Sequence, residues 1–179
     1  MKPVVFLDID GVLNGHEFND AAQSTTIKQP CVAAFNYVLS NAKPEIVISS
    51  AWRYSVLCGS MTTLGFEILL RTHGVCGIVG KIIGTTRADE HCAHCNSKSK
   101  RLHPCPATGH HLCRKCGKVS DRAHQVRSYL CRNPWIERYV VIDDEDYGFT
   151  DLKMDFVRTK ASVGLTMSNA RKVVKILTK

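Results

Sequence analysis

Asp8 and Asp10 stand one residue apart where the apolar run Val4-Val5-Phe6-Leu7 gives out, and Gly11 follows at once. Such a run reads as a buried strand, and a glycine just beyond it lets the chain turn away. Ligands of open α/β sheets bind outside the carboxyl ends of the strands. Two acids at that edge can hold a divalent cation and still leave an oxygen free for nucleophilic attack. Two more apolar runs finish the same way: Glu45-Ile46-Val47-Ile48 at Ser49-Ser50, and Tyr139-Val140-Val141-Ile142 at Asp143-Asp144.

A second constellation lies between the last two of these. Cys92-x-x-Cys95 is followed after seventeen residues by Cys113-x-x-Cys116-Gly117. Each Cys-x-x-Cys turn aims two sulfurs at one ion, and two turns close a tetrahedral shell, which is the pattern of a structural Zn²⁺. Cys105 and the histidines at 91, 94, 103, 110 and 111 share the stretch and are read as loop residues, with replacement of one cysteine as the alternative. Cys31, Cys58, Cys76 and Cys131 sit among apolar residues and are expected to be core thiols.

The elements that must position these groups alternate along the chain. Residues 3–9 read as a central strand and 11–30 as a loop or flap ending at Pro30. Residues 31–41, apolar at 32, 35, 38 and 39, read as a helix. The strand at 45–48 precedes a helix over 52–64 stopped by Gly65, then a third strand over 66–70, then mostly loop over 74–86. Ser120 or Asp121 can cap a helix running to about Leu130. A strand at 139–142, another at 153–158 and a helix capped by Ser168, with Ala170, Val173, Val174 and Leu177 on one face, complete the series. Strands alternating with helices predict an α/β fold: a doubly wound, Rossmann-like parallel sheet with helices on both faces.

The chain has 179 residues, 44% of them hydrophobic, and a formal net charge of +8. One domain with a small insert fits that length, and the charge favours an anionic partner. No apolar run is long enough for a bilayer, so no membrane partner is expected. The first residues lack the apolar core of a signal peptide, so a cytoplasmic, reducing setting is expected, where clustered cysteines bind metal.

The segments Phe-Leu-Asp-Ile-Asp-Gly-Val-Leu-Asn, Val-Ile-Ser-Ser-Ala-Trp-Arg and Val-Ile-Asp-Asp-Glu, with Gly164-Leu165-Thr166 before the last helix, resemble the haloacid dehalogenase-like (HAD) phosphatases. Among these they look most like the HAD domains of RNA-repair and polynucleotide-end-processing proteins. The resemblance covers most of residues 3–58 and 119–178. It implies a Mg²⁺-dependent phosphomonoesterase in which Asp8 is the nucleophile and forms an aspartyl-phosphate. Asp10 is implied as general acid and later base, its main-chain carbonyl also reaching the metal. Ser49 is implied to bond the phosphoryl oxygens, with Ser50 and Gly11 beside the substrate. Asp143 and Asp144 are implied to complete the Mg²⁺ shell.

The family also places a basic residue near the helix before the last motif. Lys118 and Arg122 both qualify; Arg122 is preferred, because Arg suits bidentate phosphate contact. Arg127 and Lys81 are more distant candidates. Arg53 is expected to touch substrate phosphate, and Trp52 to pack, with stacking as its alternative. Insertions at the position of residues 87–118 form caps in the family. The resemblance therefore divides the chain into a core of 1–86 and 119–179 and a zinc-ribbon-like cap. Lys98, Lys100, Arg101, Arg114, Lys115 and Lys118 make that cap basic enough to face a nucleic-acid backbone. The expected substrate is a nucleic-acid terminal phosphate or a nucleotide. The alternatives are a non-catalytic module binding nucleic acid or protein, and a phosphotransferase.

Overall fold

A computed structural model describes residues 2–14, 26–57, 59–86, 103–104, 111–112, 119–120 and 122–179. Its strands are β1 (Val4–Leu7), β2 (Glu45–Ile48), β3 (Ile82–Thr85), β4 (His103–Pro104), β5 (His111–Leu112), β6 (Val119–Ser120), β7 (Tyr139–Asp143) and β8 (Phe156–Arg158). Five of them form a parallel sheet in the order β3-β2-β1-β7-β8. The short strands β4, β5 and β6 form a separate antiparallel sheet. Cys92, Cys95, Cys113, Cys116, Cys105 and Lys118 lie outside the described residues, as do Cys58, Asp121 and most of the loop after Asn14.

The central strand is apolar throughout because both its faces are covered, as parallel sheets require. Val5, Leu7, Ile46, Ile48, Val140 and Ile142 share one core with α1 (Gln29–Ala42), α3 (Thr63–Thr72) and α5 (Met167–Leu177). Val4, Phe6, Val47 and Val141 point the other way, onto Ala123 and Val126 of α4 (Arg122–Arg132) and onto Ile136 and Phe149. The expected layers, helix over sheet over helix, are therefore present. No helix among the described residues is long and apolar enough to cross a membrane.

Register matters more to function than the strands themselves. Leu7 pairs with Ile48 on one side and Ile142 on the other. The next residues, Asp8, Ser49 and Asp143, therefore leave the sheet at one level. The Asp8 amide donates to the Ile142 carbonyl at 3.0 Å, and the Ser49 amide to the Leu7 carbonyl at 2.8 Å.

Several boundaries differ from the sequence reading. The helix expected over 52–64 is a single short one, α2 (Arg53–Leu57). Gly65 does not stop a helix; it lies in the first turn of α3, where its amide donates to the Thr62 cap hydroxyl at 2.9 Å. The segment 66–70 is helical, not a strand. Phe66 and Leu70, four apart, both face the core, and five residues are too few for periodicity to separate the two structures. The third strand is Ile82–Thr85 instead. α1 begins at Gln29, since Pro30 is well tolerated in a first helical turn. Ser120 is paired in a strand, and Thr166, not Ser168, caps α5 in a reciprocal box with Asn169. Cys31 is buried as expected, but Cys76 and Cys131 are exposed.

Glu67 was not a candidate for any role, yet it is buried and holds β3 in place. Its carboxylate accepts from the amides of Gly80, Lys81 and Ile82 at 2.9, 3.0 and 2.8 Å. Glu67→Ala strands these donors, of which the Ile82 amide is buried, and an unsatisfied buried donor costs about 1–3 kcal/mol. We expect a loss of about 2–4 kcal/mol in urea melts; a loss under about 0.5 kcal/mol would mean that water replaces the carboxylate freely.

Candidate active site

Asp8, Asp143 and Asp144 converge from β1 and β7, with one carboxylate oxygen of each within 4.8 Å of the others. The first two are buried, and Asp144 is half-buried. Gly11 makes the approach possible. Its φ of +73° suits glycine, and a Cβ there would come within 2.8 Å of Asp144 Cβ. The polar backbone of Gly11 is used within the loop: its amide donates to Asn14 Oδ1, and its carbonyl accepts from Thr159 Oγ1 at 2.8 Å.

Arg122, at the start of α4, enters between the acids. Its Nη1 lies 2.9 Å from Asp8 Oδ2 and also bonds Asp143 Oδ2. The guanidinium stacks on the Tyr147 ring, 4.4 Å from its centroid. Burial works against the Arg122 charge, but Asp8 and Asp143 outweigh it and hold its pKa above the ordinary value. The acids respond in the opposite way. Burial, reinforced by the Asp8 charge, pushes Asp143 up to about 8, even with Arg122 pulling against it. Asp144 is raised for the same two reasons. Like charges forced together in a dry site cannot all ionise without a counter-charge. Three hard oxygen donors in that condition suit a divalent cation such as Mg²⁺.

Two buried atoms at this edge, Asp8 Oδ1 and Ser49 Oγ, have no hydrogen-bond partner among the described residues. Native proteins rarely leave such groups unsatisfied away from a functional site. An orphaned carboxylate oxygen and an orphaned hydroxyl at one sheet edge fit a metal and an oxyanion respectively.

Asp10 takes a different position from the other acids. Its carboxylate is outside the metal cluster, and accepts from Asn14 Nδ2 at 2.8 Å and from Trp52 Nε1 at 3.0–3.1 Å. Ser50 is buried, and its hydroxyl accepts from the Trp52 amide at 3.3 Å. Arg53, the residue expected to touch substrate phosphate, has both terminal nitrogens engaged within the protein. It is buried, with Nη1 donating to the Ser49 and Ser50 carbonyls at 2.7 and 2.8 Å and Nη2 donating to Gln125 Oε1 at 3.0 Å. Arg53 thus ties the serine turn to α4, three residues from Arg122. Trp52 packs edge to face on Phe66, as expected of a core residue, but its indole N–H also carries a polar contact. Asn14, Tyr147 and Gln125 were not foreseen. Asn14 closes the run Asp-x-Asp-Gly-x-x-Asn and so carried a local signal; the other two carried none.

Buried acids at the carboxyl edge of a Rossmann-like sheet, with a cation between them, define a HAD-type site. A family profile for the HAD domain in Swiss Army Knife RNA repair proteins matches residues 4–170, and the chain belongs to this family. Comparison with curated proteins and with solved structures returned no match. Membership brings a hydrolase- or phosphatase-like chemistry, generally with Mg²⁺.

Proposed function

We propose that the protein is a phosphomonoesterase acting through an aspartyl-phosphate on Asp8, with a nucleic-acid terminal phosphate as substrate. The observation that carries the reading is the buried, unpartnered pair Asp8 Oδ1 and Ser49 Oγ beside an Arg122-bridged acid cluster among the described residues. Asp8, Asp143 and Asp144, with the main-chain carbonyl of Asp10, are the groups that would hold Mg²⁺, which when bound neutralises charge on the phosphoryl oxygens. The chain's own residues do the rest. An Asp8 oxygen attacks phosphorus, forming an O–P bond as the bond to the leaving oxygen breaks. Asp10 gives its proton to that oxygen, then takes one from the water that cleaves the acyl phosphate. Ser49 donates its hydroxyl to a phosphoryl oxygen, and Arg122 holds Asp8 in line. Arg53 and Ser50 shape the turn that carries Ser49.

The family's link to RNA repair and the net charge of +8 support a nucleic-acid end over a small metabolite. The test is phosphate release with Mg²⁺ from RNA 3′- and 5′-phosphate ends, mononucleotides and sugar phosphates. We expect kcat/KM to be at least about tenfold higher on one RNA end than on any mononucleotide. Equal turnover of all three classes would remove the nucleic-acid assignment.

A further inference from the structure

We infer that Trp52, together with Asn14, is a positioning residue that aims Asp10 at the leaving oxygen. This rests on the phosphatase reading above and adds to it a role for a side chain whose sequence context suggested packing or stacking. The Trp52 indole reaches from the turn after β2 to the loop after β1, and its Nε1 spans both Asp10 oxygens, at 3.1 Å from Oδ1 and 3.0 Å from Oδ2. The ring is steadied by Phe66, edge to face at 6.0 Å between centroids, and its own amide is tied to Ser50 Oγ. The second donor, Asn14 Nδ2, comes from the loop of Asp10 itself, four residues beyond it. Asn14 is fully buried and fixed by the Gly11 amide on its Oδ1.

Two donors from separate segments, each locked by its own partner, hold a carboxyl group far better than one. A proton donor displaced by about 1 Å costs on the order of 10²-fold in rate. The cost falls where the proton is needed. As the P–O bond breaks, its electron pair goes to the leaving oxygen. A ribose or alkyl oxygen must take the Asp10 proton at that moment, whereas p-nitrophenolate leaves without it.

The experiment compares kcat/KM of wild type and Trp52→Phe on an RNA end phosphate and on p-nitrophenyl phosphate, with Mg²⁺. Phenylalanine keeps the contact with Phe66 and removes the N–H. We expect about a 10–100-fold loss on the ribose ester and less than about threefold on the aryl ester. A purely structural role would lower both alike, so equal losses, or no loss on the RNA end, overturn the inference. Wild-type protein inactive on both esters is a separate result that removes the phosphatase reading itself. Should Trp52→Phe fail to fold, the indole N–H signals decide. The chain has two tryptophans, Trp52 and Trp135. Asp10→Ala should move one indole resonance upfield and leave the other; two unmoved signals would show that the contact is not formed in solution.

Discussion

Asp8→Asn should abolish phosphate release, lowering kcat by at least about 10⁴-fold, while the protein stays folded. The amide matches the carboxylate in shape, so the buried site of Asp8 is not disturbed by size. Arg122 keeps Asp143 and the Tyr147 ring, and the carboxamide oxygen of the variant side chain can still face its Nη1. What is lost is the anionic oxygen that forms the acyl phosphate. The same variant separates the phosphatase from a non-catalytic nucleic-acid module, because RNA binding followed by fluorescence anisotropy should persist within a fewfold. Retention of more than a few per cent of activity would place the nucleophile elsewhere. Loss of activity with transfer of phosphate to an acceptor in wild type would point to a phosphotransferase, which product analysis separates from hydrolysis.

The parts of this site that sequence revealed were those whose signal is local. Asp8, Ser49 and Asp143 each end an apolar run, and parallel pairing in register then brings them level. Arg122 was identifiable through the family resemblance, which implies a basic residue at the start of the helix before β7, though that left Lys118 beside it. The support around these residues was illegible for a plain reason. Glu67 accepts from amides 13 to 15 residues away, Arg53 bonds Gln125 72 residues on, and Trp52 bonds Asp10 42 residues back. None of these spacings follows a helical or strand period, so no pattern in the chain announces them. Local rules also misled at Gly65, where a glycine that fits a helix stop instead sits against the Thr62 cap. Arg53 shows the same limit: an arginine beside a phosphate motif reads as reaching for substrate, and nothing local announces that two main-chain carbonyls also hold it.

Arg122→Met should make the fold depend on bound cation. In metal-free protein, methionine leaves Asp8 and Asp143 buried and facing each other without the guanidinium, and breaking a buried ion pair from one side costs about 3–5 kcal/mol. That cost will vary with pH in a definite direction. Asp143 already holds its proton in the folded state up to about 8, through burial and the Asp8 charge, whereas the unfolded carboxyl releases it near the ordinary value of 3.8. Between those limits the folded state binds more protons, so metal-free stability falls as pH rises, by up to about 1.4 kcal/mol per pH unit. Removing Arg122 removes the cation that opposes this, so the decline should extend to higher pH. Mg²⁺ favours the ionised acids, and should therefore stabilise both proteins more at high pH than at low pH, and the variant more than wild type. Urea melts at about pH 5, 7 and 9, with EDTA or with Mg²⁺, read all of this in one set. If the methionine variant unfolds at the same urea concentration as wild type at every pH without metal, Arg122 is not the counter-charge of the site, and the acids must be neutralised by protons alone.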